Sequence, residues 1–349
     1  MNRHPSEYLG DGGSADGTLV LRTVEEPMRR RRFLGGSMAS LGIAGALGAT
    51  APHAPADRRP EYPPRGLGQT LGFDLTWLGV NGWWIVFDGV TVLVDPWVTR
   101  FVTGTFGPDG QDPDTPISWN RTLIDATFSR PADMILLTHG HFDHISDVPL
   151  IAARTGATVW GTESHLNLVR SLAARTDTPV DENTLSLLHG GEVRDFGGYS
   201  IAVLRSVHRP FGKNQIAATA QSCLQVDPSI SAIKDLGEGG SLSYVIANGA
   251  GRTLMVLGSG DFSASDLPAE CPDAVIFPTG GANIAPAVRR FAKRIGEPHV
   301  VIASHWDNFD LPVRPAVDVG NVPALRAAVA EVMPHARFVV PEPDTPLTV

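Results

Sequence analysis

Leu136-Leu137-Thr138-His139-Gly140-His141-Phe142-Asp143-His144 is the stretch on which the reading of this chain turns. Residues 139–144 hold three histidines and an aspartate, directly after Asp133–Leu137, which has the composition of a buried strand. Four side chains therefore leave one strand end together. Imidazole and carboxylate are good ligands for zinc and its neighbours. Such groups crowded into one loop are costly to bury unless something satisfies them. The spacing predicts a metal site in the loop that follows the strand.

Upstream, Phe73–Leu78, Trp83–Phe87 and Thr91–Asp95 are short, rich in β-branched and aromatic residues, and separated by Gly or Asp-Gly turns. They predict a meander of strands. Residues 96–130 scatter Trp97, Phe101, Phe106, Trp119 and Phe128 among Gly, Pro and Asp, and read as a long aromatic loop. Downstream, helices are expected at Asp147–Arg154, Glu163–Ala174, Ala285–Ile295 and Val322–Val332. Strands are expected at Thr158–Trp160, Tyr199–Val207, 242–247, 252–257, Val275–Phe277, His299–Ala303 and Phe338–Val340, the last followed by a Pro-containing tail. Each half runs from meander to β–α alternation. That order predicts an α/β architecture of two packed mixed sheets with helices outside, a four-layer αββα sandwich. Long irregular loops in such domains often carry function, so 96–130 and 209–240 are expected to rim the site.

With 42% hydrophobic residues in 349, the chain can bury a sizeable core. Its formal net charge is −9, and residues 57–349 alone hold 22 basic against 32 acidic side chains. That balance is poorly suited to a phosphate backbone, and no nucleic-acid partner is expected. Cys223 and Cys271 lie in no zinc-knuckle or thiol-nucleophile spacing, and whether they pair stays open.

Residues 1–56 read as a leader. Met28-Arg29-Arg30-Arg31-Arg32-Phe33-Leu34 precedes a weakly apolar run, Gly35–Ala51, that ends near Ala54-Pro55-Ala56. Basic region, apolar region and small-residue cleavage pattern predict a signal peptide over 28–56. The arginine pair before Phe-Leu resembles the twin-arginine signal, so the export machinery is an expected partner and the periplasm or exterior the expected location. The alternative is a membrane anchor, for which the run is short and Gly-rich. Residues 57–70 read as a linker and 71–349 as the folded domain. Met28 is also a candidate start, with 1–27 untranslated.

The quoted stretch, HxHxDH after a strand, resembles the signature of the metallo-β-lactamase superfamily. Further motifs follow in the family's order. Asp95 stands in Val94-Asp95-Pro96, His208 after Ile201–Val207, Asp261 in Gly258-Ser259-Gly260-Asp261, and His305 in Ala303-Ser304-His305-Trp306-Asp307. The resemblance, over roughly residues 71–310, implies the metallo-β-lactamase fold and two divalent ions, zinc first, with manganese or iron as alternatives. It implies that His139, His141 and His208 hold one ion, and Asp143, His144 and His305 the other, with Asp261 between them. Asp143 would also orient the attacking water, and Asp95 would support a histidine or the loop rather than bind metal. His165 is a candidate to line the pocket, while His189, His299 and His335 read as structural.

Within the superfamily, Asp261 departs from the Cys or Ser that true class B β-lactamases place there. An intact HxHxDH and the lack of a flavodoxin domain depart from flavodiiron proteins. Trp77-Leu78-Gly79, Val94-Asp95-Pro96-Trp97 and His305-Trp306-Asp307 resemble the branch of ascorbate-6-phosphate lactonase and the phospholipase D acting on N-acyl phosphatidylethanolamine. Val80-Asn81-Gly82 stands where that branch often has Gly-His. The resemblance implies a hydrolase of an ester, lactone or phosphodiester with a small-molecule or lipid-like substrate. The alternative is a metal-binding redox or interaction protein without hydrolytic turnover.

Overall fold

Alternation decides the first sheet. In β2 (Gly82–Phe87) of the computed structural model, Trp83, Ile85 and Phe87 enter one apolar cluster, while Trp84 joins another with Val86 against it. Successive side chains of a strand point to opposite faces, so a strand apolar on both must be covered on both. The structure describes residues 70–209, 221–279 and 283–349. The leader, its export signal and, apart from Thr70, the linker lie outside the described residues, as do 210–220 of the second expected loop.

The first sheet has seven strands. They are β1 (Asp74–Gly79), β2, β3 (Val90–Val94), β4 (Met134–Leu136), β5 (Thr158–Gly161), β6 (Leu185–Leu187) and β14 (Pro346–Thr348), in the order β14-β1-β2-β3-β4-β5-β6. The second also has seven. They are β7 (Val193–Asp195), β8 (Ser200–Arg205), β9 (Leu242–Ala247), β10 (Thr253–Val256), β11 (Ala274–Pro278), β12 (Val300–Ser304) and β13 (Arg337–Val339), in the order β13-β12-β11-β10-β9-β8-β7. Both sheets are mixed. Antiparallel neighbours come first, and pairing turns parallel from β3 to β6 and from β10 to β13.

Parallel neighbours need crossovers, and helices supply several of them. α3 (Val148–Thr155) and α4 (Glu163–Thr176) bury Val148, Ile151, Leu166 and Leu172 against the outer residues Leu93, Ile135 and Val159 of the first sheet. α5 (Ala285–Ile295) and α6 (Val322–Val332) bury Val288, Phe291, Leu325 and Val329 in the larger cluster that also holds the residues between the sheets. This is the metallo-β-lactamase fold. Among the described residues, no helix is long and apolar enough to cross a membrane.

Three details differ from the sequence expectation. The tail adds β14 to β1, pairing Asp74 with Thr348. Its Pro346 sits at an edge strand's first residue, where a missing N–H is tolerated. The region 96–130 contains α1 (Arg121–Thr127), capped by Asn120, whose side chain accepts from the Leu123 N–H. β6 and β7 are three residues each, with no buried side chain, so no hydrophobic run announces them. Cys223 and Cys271 are free thiols.

Candidate metal centre

The HxHxDH loop is held from several sides. Leu137 donates its N–H to the Trp160 carbonyl (3.0 Å) and accepts the Tyr244 hydroxyl (2.5 Å). The Gly140 N–H donates to the Glu238 carbonyl (2.8 Å). A Cβ at Gly140 would run into the Gly237 carbonyl and Leu168, which explains the glycine between two histidines. The chain then enters α2 (Phe142–Ile145), a single turn that presents Asp143 and His144 next to each other, both buried.

Asp95 organises this loop from below. Its Oδ1 accepts the Thr138 N–H (2.7 Å), and its Oδ2 accepts the Thr138 hydroxyl (2.5 Å) and lies 2.8 Å from His144 Nδ1. Because the Thr138 hydroxyl donates to Asp95, its oxygen is left to accept from His139 Nδ1, 3.1 Å away. Both rings thereby keep Nδ1 as donor and turn Nε2 outward as a lone pair. Asp95, Val80 and His305 all hold positive φ, at 41°, 51° and 52°. Such backbone is strained for non-glycine residues, most of all for β-branched Val80. Hydrogen bonds hold it there: the Val80 carbonyl accepts the His305 N–H (2.7 Å), and the Val80 N–H donates to Asp307 (2.9 Å).

Two groups of ligand atoms result. His139, His141 and His208 form one, and Asp143, His144 and His305 the other, with the ligand atoms of each group within 4.8 Å of one another. The groups adjoin, since the His139 and His144 ring centroids are 3.8 Å apart. Nε2 of His139 and Nε2 of His144 are buried with no hydrogen-bond partner. Orphaned buried nitrogens are rare in folded proteins, and imidazole lone pairs converging with a carboxylate are the donor set that divalent metals take. The residues present fit metal ions.

The electrostatics match at three donors, His139, His208 and Asp143. Burial, then the neighbouring His144, His141 and His208, holds His139 well below the ordinary imidazole value. Burial and His141 bring His208 down to about 3. Both stay neutral, as ligands must. Burial pushes the Asp143 carboxyl up, but His144, His305 and His141 outweigh it, and the group stays ionised far below the usual range. Burial also opposes charge on His144, yet Asp143 and Asp95 raise it on balance.

Asp261 belongs to neither group. Its carboxylate pairs with Arg290, which projects from α5, and accepts from the Phe262 N–H. The nearby guanidinium offers it an opposite charge, so it faces the helix. The remaining histidines fall elsewhere. His165 is buried, its Nδ1 accepting from the Thr162 N–H (3.2 Å) and its Nε2 set 3.1 Å from the Glu238 carbonyl; burial lowers it to about 4. The His189 main chain is tied to Glu192, and the His335 N–H bonds Glu297. His299 lies 3.9 Å from Asp273.

Sequence reasoning missed several residues that support the centre. Asn81, fully buried, donates to Asp95 Oδ2 (3.1 Å) and the Leu257 carbonyl (3.3 Å), and accepts the Ser304 hydroxyl (2.9 Å). Arg100 pairs with Asp307 at 2.5 Å with both side chains almost buried, and Asp310 accepts from the Thr103 N–H and hydroxyl. These contacts tie residues 100–103 to the loop that carries His305. An aromatic wall of Trp97, Phe101, Phe106, Phe142 and Phe309 lies beside it, with Phe309 6.2 Å from the His305 ring. Both expected rim segments therefore touch the site region, 96–130 through this wall and the described part of 209–240 through Glu238.

Two mixed sheets carrying these histidines and carboxylates just beyond the carboxyl ends of β3, β4, β8 and β12 define a metal-dependent hydrolase. The chain belongs to the beta-lactamase superfamily, whose domain model, described as "Beta-lactamase superfamily domain", matches residues 74–305. A UPF0173 metal-dependent hydrolase of Myxococcus xanthus is 28% identical over 317 residues, covering 88% of this chain and 94% of the relative. Another from Methanopyrus kandleri is 26% identical over 238 residues, covering 67% and 84%. Among solved structures, an isothiocyanate hydrolase from Delia radicum gut bacteria superposes with a TM-score of 0.50 at 16% identity, over 79% of this chain and 100% of that one. A possible metal-dependent hydrolase from Veillonella parvula gives 0.50 at 16%, over 80% and 100%. These two likenesses are to the fold.

Proposed function

We propose that the enzyme binds two divalent ions, zinc ahead of manganese or iron, and hydrolyses an ester, lactone or phosphodiester. The observation that supports this most is the pair of orphaned Nε2 atoms on His139 and His144, one in each ligand group. Bound ions would supply Lewis-acid polarisation and an activated water near neutral pH. The chain's own groups do the rest. His139 and His144 keep outward lone pairs because Thr138 and Asp95 hold their Nδ1 atoms. Asp143, ionised and 3.3 Å from His305 Nε2, is placed to orient a water. The aromatic wall, with exposed Val102, Phe106 and Leu311 nearby in sequence, supports an apolar substituent on the substrate.

The test is turnover of p-nitrophenyl acetate, a simple γ-lactone and bis-p-nitrophenyl phosphate by the zinc-loaded and EDTA-stripped enzyme. Zinc-dependent hydrolysis of one class is expected, and equal rates with and without metal would refute the reading. We further propose that the chain is exported, on the strength of the twin-arginine-like segment at 28–34.

A further inference from the structure

His165 is fully buried on the first turn of α4, and the metal chemistry proposed above makes no use of it. Both ring nitrogens are committed. Nδ1 accepts the Thr162 N–H (3.2 Å), and Nε2 lies 3.1 Å from the Glu238 carbonyl. A carbonyl oxygen can only accept, so Nε2 carries the hydrogen and the ring is a neutral donor. The same carbonyl uses its second lone pair on the N–H of Gly140 (2.8 Å), the residue between His139 and His141.

Residues 238–242 continue as a strap along the first ligand group. The Leu242 N–H donates to the Thr138 carbonyl (2.7 Å), next to His139, and the Ser241 carbonyl accepts the Ser206 N–H (2.8 Å), two residues before His208. The Ser241 hydroxyl donates to Glu238 Oε1 (2.6 Å). The start of α4 grips the strap at two adjacent residues, since the Thr162 hydroxyl donates to the Gly239 carbonyl (2.8 Å) beside the His165 bond. The approach is close. Gly239 holds a φ of 68°, and a Cβ there would run into Ser164 and His165.

We propose that His165 is a positioning residue for the first ion: through the Glu238 carbonyl it fixes the strap that spaces His139 and His141 against His208. This deepens the two-ion reading above and rests on it only in assigning an ion to those three histidines. Buried partners outside the ligand set hold the ligands' directions and so govern affinity. The strap's contacts fall on the chain around His139 and before His208. His144 is oriented by Asp95, and His305 by the Val80 carbonyl, so the loss of His165 falls on one ion and not on both.

The test is the zinc affinity of the full chain, read by competition against a chromogenic chelator in the parent, His165→Leu and His165→Gln, with the Tm of each metal-free protein. Gln can accept the Thr162 N–H through its amide oxygen and donate to the Glu238 carbonyl through its amide nitrogen, whereas Leu can do neither. The binding step that His208→Ala abolishes marks the first ion. That step should weaken about tenfold in the Leu variant while the other stays within about twofold, and Gln should restore most of the loss. An unchanged first step in the Leu variant overturns the proposal. So does an equal loss at both steps that follows the fall in Tm, which would make His165 a packing residue. A Gln variant as weak as Leu overturns it too. If the Leu variant does not fold, Thr162→Ala, which deletes the neighbouring hydroxyl bond to the strap, takes its place with the same selective loss expected. A parent that binds a single zinc refutes the two-ion reading by itself; the proposal is then decided on that one step, and fails if parent and Leu variant agree.

Discussion

Asp95 Oδ2 lies 2.8 Å from His144 Nδ1, with neither side chain exposed to solvent. The same oxygen accepts from Thr138 and Asn81, so one carboxylate orients a ligand of the second group directly and His139 of the first through the threonine. Asp95→Asn removes the charge and places an amide where up to three donors converge. Removing such an outer partner of a metal-binding histidine typically lowers metal affinity about 10- to 100-fold. Competition against a chromogenic chelator should show that loss, with His189→Ala as the unaffected control. Equal affinities in all three proteins would mean that the carboxylate orients nothing that matters.

The two ligand groups should be separable. His208→Ala leaves the group of Asp143, His144 and His305 intact, and His305→Ala leaves His139, His141 and His208. Each variant is expected to hold roughly one ion where the parent holds about two, because each group has its own three donors. Elemental analysis of the purified proteins decides this. Retention of both ions by either variant would show the grouping to be mistaken.

The buried Arg100–Asp307 pair should matter for stability. Breaking a buried pair by removing one partner leaves an uncompensated charge and typically costs about 3–5 kcal/mol. Arg100→Met is therefore expected to shift the urea midpoint strongly. Adding Asp307→Asn should recover much of the loss, since the amide oxygen still accepts the Val80 N–H. A double variant no more stable than the single one would assign the effect to lost packing.

Asp147 supplies a pH dependence. Burial raises its carboxyl to about 6, against hydrogen bonds from the Val98 and Thr99 N–H groups, and its Oδ1 has no partner. A pKa raised on folding means that the unfolded chain gives up the proton first. Stability from the neutral form is complete below about pH 4 and is lost as pH rises through about 6. Asp147→Asn removes that term. In EDTA, the Tm of the variant relative to the parent should rise between pH 5 and 7.5, and a pH-independent difference would count against the assignment.

Export has its own test. Lysine lacks the paired guanidinium geometry, so Arg30→Lys with Arg31→Lys should leave the protein in the cytosol. Fractionation and an antibody against the folded domain read the outcome, and unchanged secretion of the double variant would exclude this route.

Much of the centre was legible because it is local. Donors spaced one and two residues apart at a strand end, followed by one helical turn, point to a common side whatever the rest of the chain does. That physical economy makes HxHxDH readable, and strand alternation makes Trp83, Ile85 and Phe87 readable as a core face. Asp261 shows the limit. A motif placed it near the ions, but its direction depends on Arg290, 29 residues away on a helix whose packing no local pattern encodes.

The sequence by itself determined the layered α/β class and the strand-end loop through periodicity and spacing over a few residues, while His208 and His305 were placed only by the resemblance of their motifs to the family. Only the tertiary structure decided which groups hold them. Asn81 meets Ser304 across 223 residues, Val80 meets Asp307 across 227, and β14 closes onto β1 from the far end of the chain. A hydrogen bond is made between neighbours in space, and an asparagine, a valine N–H or a tail proline carries no mark of its partner until two sheets have packed and brought them within 3 Å of one another.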